Sequence, residues 1–259
     1  ILYPLLLDWQ AWALMRVLIG FGFSGIYVTA ESWLNNNSTN ETRGQALSLY
    51  MIVQMLGIIA SQGLLAMGDP YGYALFIIPS VLVSLAFMPI LLAATPAPTF
   101  DSIKAMSFRQ LFRISPLGCA GMLLTGGVFS AMFGMASVYG AMSAMTIGQI
   151  ASFVAAMYVG GLVLQYPIGW VSDRMDRRAL ILWMAAAGAV IMGAATVLPL
   201  PFSFELVVAM LLGGIINPLY SLLIAHTNDH LQKEEMPGAS AGLIVLNGFG
   251  AISGPLVAG

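Results

Sequence analysis

Gly169-Trp170-Val171-Ser172-Asp173-Arg174-Met175-Asp176-Arg177-Arg178 is the stretch that decides the fold. Before it, an apolar run ends in Gln165-Tyr166-Pro167-Ile168; after it, another begins at Ala179. Five charged residues fall within positions 173–178, between two segments long enough to cross a bilayer. A crossing takes about 20 largely apolar residues. A connection this short makes the flanking helices an antiparallel hairpin.

The rest of the chain has the same texture. Of 259 residues, 59% are hydrophobic and only 8% charged, against roughly 25% charged in a soluble domain. Lipid offers the backbone no hydrogen-bond partner, so each span must satisfy its own, and the class is an all-α membrane protein. A net charge of −2 gives no footprint for a nucleic-acid partner. Cys119 is the single cysteine, so no disulfide forms within the chain; in its apolar run it reads as a small buried thiol. Ile1 is not an initiator, residues 1–7 are already apolar, and the last apolar run reaches Gly259 without a flank. The expectation is a piece of a longer chain, cut inside helices at both ends, in which the absence of a signal peptide carries no information.

Apolar runs predict the tail of one helix at 1–7 and seven full spans, at 11–34, 44–67, 71–94, 117–140, 147–170, 179–198 and 203–226. An eighth starts near 238. Of the nine Lys and Arg, eight fall in alternate connections: Arg43; Lys104, Arg109 and Arg113; Arg174, Arg177 and Arg178; and Lys233. The positive-inside rule puts those connections in the cytoplasm. The ninth, Arg16, lies about a turn inside the outer end of its helix. The longest connection, 95–116, opens with Pro96 and Pro98, which end the preceding helix. In it, Ser107-Phe-Arg-Gln-Leu-Phe-Arg carries a capping serine and an apolar face of Phe108, Leu111 and Phe112, which predicts a short helix lying on the inner surface.

The pattern Gly169-x-x-x-Asp173-Arg174-x-x-Arg177-Arg178 resembles the signature loop of the major facilitator superfamily, with Asp176 where that signature usually has glycine. The resemblance implies a bundle of two parallel six-helix halves. A gapless shift of 193 residues fits it, pairing Gly20 with Gly213, Tyr27 with Tyr220, Asn35 with Asn228, Gln54 with Asn247 and Gly57 with Gly250. On this reading residues 1–94 hold the end of helix 3 and helices 4–6. Residues 95–116 link the halves, and 117–259 hold helices 7–11, so the bundle is incomplete.

Candidate functional residues follow. Arg16, Gly20, Phe23, Tyr27 and Glu31 share one helix face. Arg16-x-x-x-Gly20 with Gly22 and Gly25 resembles the superfamily's helix-4 motif, linked there to proton coupling; the plainer reading is an arginine snorkelling to the outer interface. In the family, an acid placed like Glu31 pairs with an arginine of the first signature loop; Arg43 is the alternative partner. Gln54 and Asn247 sit at about half depth, as a substrate-contacting pair or as helix-to-helix hydrogen bonds. Asn217-Pro218-x-Tyr220 is a kink whose amide either repairs the freed backbone or meets solute. Tyr158, Gln165, Thr125 and Phe129 are further cavity candidates. Gly250-Ala-Ile-Ser-Gly254-Pro255 resembles the family's antiporter motif but stands on the wrong helix, which favours a small-residue packing seam. His226 and His230, with Asp229 near, have metal-ligand spacing but read as solvated loop residues. The 17 methionines read mostly as packing that would also tolerate an apolar solute.

The resemblance implies secondary transport of a small organic solute by alternating access, coupled to protons. The carrier would be a monomeric multi-pass protein of the lipid bilayer, most simply a bacterial inner membrane. Gly169, Asp173, Arg174, Arg177 and Arg178, with Glu31 and Arg43, form the expected cytoplasmic gate. There Asp173 would latch onto the start of helix 5 near Gly44, its carboxylate held by one of the arginines. No cofactor is expected, and no nucleotide-binding loop is visible. Two alternatives stand beside this: a channel for small solutes, and a membrane-embedded enzyme. Gly22-Phe-Ser24-Gly25 faintly resembles an intramembrane serine protease, but neither histidine lies at its depth.

Overall fold

The computed structural model describes residues 8–37, 43–69, 72–92, 106–199, 201–232 and 235–259. Among them are nine α-helices and no strand: α1 (Trp9–Asn37), α2 (Arg43–Met67), α3 (Ala74–Leu92), α4 (Phe108–Ile114), α5 (Pro116–Met142), α6 (Ile147–Ser172), α7 (Arg177–Val197), α8 (Phe202–Asn228) and α9 (Met236–Ala258). Each expected span coincides with one of these helices to within about three residues. Among the described residues six stretches are long and apolar enough to cross a membrane: Leu49–Met67 of α2 and the whole of α5, α6, α7, α8 and α9. The other two expected spans are helical, but α1 and α3 are not among those six.

The chain divides into two compact units, residues 1–57 with 64–101, and 58–63 with 102–259. In the first unit, the Asp8 carboxylate accepts the Gln10 N–H at 3.3 Å at the start of α1. Trp12 of α1 meets Phe76 of α3 edge to face, centroids 6.4 Å apart. α3 carries Pro79 and Pro89, and beside Pro79 the Ser80 hydroxyl donates back to the Phe76 carbonyl at 2.8 Å.

The second unit holds every member of the buried apolar clusters among the described residues. Its helices pair as α5 with α9 and α6 with α8, with α7 and α4 packed against them. Small residues set both seams. A Cβ on Gly250 would strike the Leu123 carbonyl, and one on Gly254 the Gly127 carbonyl. Across the other seam, Gly160 lies against the Met210 carbonyl and Gly213 against that of Met157. Lipid tails are as apolar as leucine, so such helices gain from close backbone approach rather than from leaving water. The Gly250–Pro255 run is thus a packing seam.

Local signals explain the breaks. α5 ends in a Schellman turn, with the Met145 N–H on the Gly140 carbonyl at 2.8 Å and that of Ala144 on Ala141 at 3.2 Å. Ala144 holds the left-handed position at φ 55°. Two residues on, Thr146 and Gln149 form a capping box that opens α6. Ser107 caps α4 as its sequence suggests, accepting the Gln110 N–H at 3.3 Å. The expected α4 face divides, however. Leu111 is fully buried in the main cluster, while Phe108 and Phe112 are 49% and 56% exposed. One side chain docks the helix between α5 and α9, and the phenylalanines remain outside.

Candidate functional site

The charged hairpin lies wholly within the second unit. α6 ends at Ser172 with Asp173 as its C-cap. Asp176 opens α7 by accepting the Arg178 N–H at 2.9 Å, as a short acidic side chain does at an N-cap. Asp176 therefore stabilises the turn in place of the usual glycine. Arg174 folds back onto α6. It donates to the Trp170 carbonyl at 2.9 Å, and its guanidinium carbon lies 3.8 Å from the Trp170 ring centroid. That satisfies an orphan carbonyl and adds a cation–π contact.

Arg177 is the hub. Its Nε donates to the Ser172 hydroxyl at 3.1 Å, and one terminal nitrogen reaches Asp173 at 3.4 Å. The other pairs with Asp229, the C-cap of α8. One guanidinium thus joins the C-terminal ends of α6 and α8 at the start of α7. Both C-termini carry partial negative charge, so a cation between them is favoured beyond its two carboxylates. The pairs are unequal. Arg177 and Asp229 side chains are 25% and 45% exposed, while Asp173 is 70% exposed. Water screens the Asp173 contact, leaving Asp229 as the main partner.

A cavity of about 700 Å³ opens here, lined by the hairpin, by His226, Asp229 and His230, and by the α4–α5 junction. The junction is fixed by a buried contact, Thr227 Oγ1 donating to Ser115 Oγ at 3.2 Å. His226 is not a loop residue; it sits partly buried in the last turn of α8, with His230 exposed beyond it. His230 Nδ1 lies 2.9 Å from the His226 carbonyl, and the rings meet edge to face at 5.0 Å. Among the described residues no group of three His, Cys, Asp or Glu is arranged to hold a metal.

The other predicted residues are distributed as follows. Arg16, Tyr27 and Gln54 belong to the first unit, on α1 and α2. Tyr27 stacks on Phe23 at 6.1 Å, and Gln54 is partly buried. The backbones of Glu31 and Arg43 are helical, but their side chains lie outside the described residues. In the second unit, Asn247 of α9 donates to the Met122 carbonyl of α5 at 3.1 Å. Asn217 donates to the Gly213 carbonyl at 2.8 Å, one residue before the carbonyl that Pro218 frees, and packs on Gly161 of α6. Tyr220 packs against the main cluster. Thr125 is buried; Phe129, Phe133 and Tyr158 form a run of tilted ring contacts with centroids 4.3 and 4.6 Å apart. Gln165 donates to Ser221 at 3.1 Å, while its buried Oε1 has no hydrogen-bond partner among the described residues. The residue that motif reading did not assign to the gate is Asp229. Its signal was its place just beyond the inner end of α8, facing the same side as three hairpin arginines.

These features define a multi-pass α-helical membrane protein with a charged hairpin at one face. The chain belongs to the major facilitator superfamily, whose sequence profile (Major Facilitator Superfamily) matches residues 1–255. It is similar to an uncharacterized MFS-type transporter of Yersinia pestis (strain Pestoides F), 26% identical over 97% of this chain and 65% of that protein. It is also similar to the uncharacterized MFS-type transporter YfkF of Bacillus subtilis (strain 168), 24% identical over 96% of this chain and 65% of that one. The uncharacterized MFS-type transporter YcaD of Escherichia fergusonii is 23% identical over 96% of this chain and 64% of its own length. The chain therefore spans about two thirds of the length of these relatives. No solved structure matches it significantly.

Proposed function

We propose that the chain is part of a secondary transporter that carries a small organic solute through a bacterial inner membrane by alternating access, coupled to protons. The relatives' names as MFS-type transporters support the activity class. The observation that carries the reading is the Arg177 hub, which joins three helix ends through Ser172, Asp173 and Asp229. A hub of that kind lets α6, α7 and α8 move as one body at the inner face, as alternating access requires. Helix starts support the two-half reading: Trp9 and Phe202, and Arg43 and Met236, stand 193 positions apart, the shift at which the sequence pairs with itself. In this proposal 1–94 and 117–259 belong to the two halves. Gln54, Asn217, Tyr220 and Asn247 face the solute path, Arg16 and Tyr27 serve coupling, and Asp173 with Glu31 and Arg43 closes the inner gate.

The test uses the full-length protein in proteoliposomes. Solutes selected by a thermal-shift screen are offered with an imposed pH gradient. Saturable uptake with counterflow, abolished by a protonophore, is the expected result. Flux that neither saturates nor shows counterflow would sink the carrier in favour of a pore.

A further inference from the structure

We propose that the groove beneath α4 is a binding site for an anionic phospholipid of the inner leaflet. The groove, about 540 Å³, is lined by Phe108, Arg109, Phe112 and Arg113 of α4, Cys119 of α5 and Leu246 of α9. Its lining combines two cations with apolar side chains. Arg109 and Arg113 stand one helical turn apart at the mouth, both exposed, and among the described residues neither has a hydrogen bond or an acidic partner. Among the described residues no acidic side chain lines the groove. Apart from the four α4 residues, the lining is apolar: the buried Cys119 of α5 and Leu246 of α9.

Depth gives this combination its meaning. Cys119 lies in the first turn of α5, directly after α4, and Leu246 stands about ten residues into α9, roughly 15 Å along its axis. Both helices begin on the side that their basic connections place inside. The cations therefore sit at the headgroup level and the apolar lining runs into the hydrocarbon. That is the order of parts in a phospholipid, a phosphate first and an acyl chain below it. Two guanidinium forks a turn apart match the oxygens of one phosphate, and a basic pocket between inner helix ends has the complement of an anionic headgroup. Phe108 and Phe112 explain themselves in the same way. They are the exposed half of a short helix whose third apolar residue, Leu111, already fixes it to the bundle. Exposed rings at this level sit among headgroups and upper acyl chains.

The experiment is native mass spectrometry of the delipidated full-length protein titrated with phosphatidylglycerol, with phosphatidylcholine and with inorganic phosphate. The parent should bind phosphatidylglycerol in preference to phosphatidylcholine. In the double variant Arg109→Gln/Arg113→Gln that binding should weaken on the order of tenfold, with phosphatidylcholine binding unchanged. Arg109→Lys/Arg113→Lys, which keeps the charge but loses the forks, should retain the preference for phosphatidylglycerol at an affinity between those of the parent and the Gln pair, and Leu246→Trp, which fills the apolar end, should weaken both lipids. Melting temperatures within about two degrees of the parent show that each variant is folded; both arginines are exposed, so the Gln pair meets that condition. Equal phosphatidylglycerol binding by parent and Gln pair would overturn the site. So would arginine-dependent binding of inorganic phosphate that displaces the lipid, since the groove would then be an ion site.

Discussion

Arg177 and Asp173 are bonded to one another yet have separable roles. Arg177 draws most of its hold from Asp229, the less exposed carboxylate. A double-mutant cycle of Arg177→Gln and Asp229→Asn, read by thermal unfolding, should give a coupling of about 1 kcal/mol, at the upper end for pairs that water reaches. The single variants should also lose transport, because either frees the end of α8 from the hairpin. A coupling near zero would mean that the hub does not hold. Asp173 behaves differently. Its carboxylate is 70% exposed and touches Arg177 only at 3.4 Å. Asp173→Asn should leave stability nearly unchanged, yet shift the carrier toward its inward-open state. A preference of about 1.4 kcal/mol between two states is a tenfold change in population. Labelling of a cysteine placed at the inner cavity mouth reads this shift; equal labelling of variant and parent would leave Asp173 as a mere offset to its neighbouring arginines.

Among the elements, the turn between α5 and α6 offers the cleanest test. Ala144 occupies a left-handed position at φ 55°, which costs an L residue roughly 1–2 kcal/mol. Ala144→Gly should relieve about 1 kcal/mol of that, after the extra freedom of glycine in the unfolded chain is set against it. The measurement is a rise in melting temperature with transport unchanged, and a fall would show that the backbone there is not strained. Element bounds were legible in the sequence because run length and caps are local: Ser107 announces the start of α4, and the caps at Thr146 and Asp176, which the apolar runs alone did not point to, are as local in the structure. Partners were not legible. Phe108, Leu111 and Phe112 look alike in sequence, and only the position of α9 decides that Leu111 is the one buried. Asp229 meets Arg177 across 52 positions and Asn247 meets Met122 across 125. No spacing rule reaches that far.

At the scale of the molecule, the sharpest prediction concerns Arg16, exposed on α1. Arg16→Lys keeps the charge but loses the planar fork. Transport by the full-length protein should fall sharply while its insertion and melting temperature stay at parental values. Undiminished transport would leave only an anchoring role at the outer interface. The seams carry a different consequence, for synthesis. α6 and α8 pair inside the span of chain that α5 and α9 close. As the protein leaves the ribosome, the inner pair can meet as soon as α8 is threaded into the membrane. α5 must wait for α9. The Asn247 amide follows the Met122 carbonyl by 125 residues, on the order of ten seconds at about 5–20 residues per second. Through that interval Gly126 and Gly127 present a backbone-deep cleft with its intended occupant still unmade. Only when α9 has been translated can Gly250 and Gly254 close onto Leu123 and Gly127 and complete the seam that α5 began.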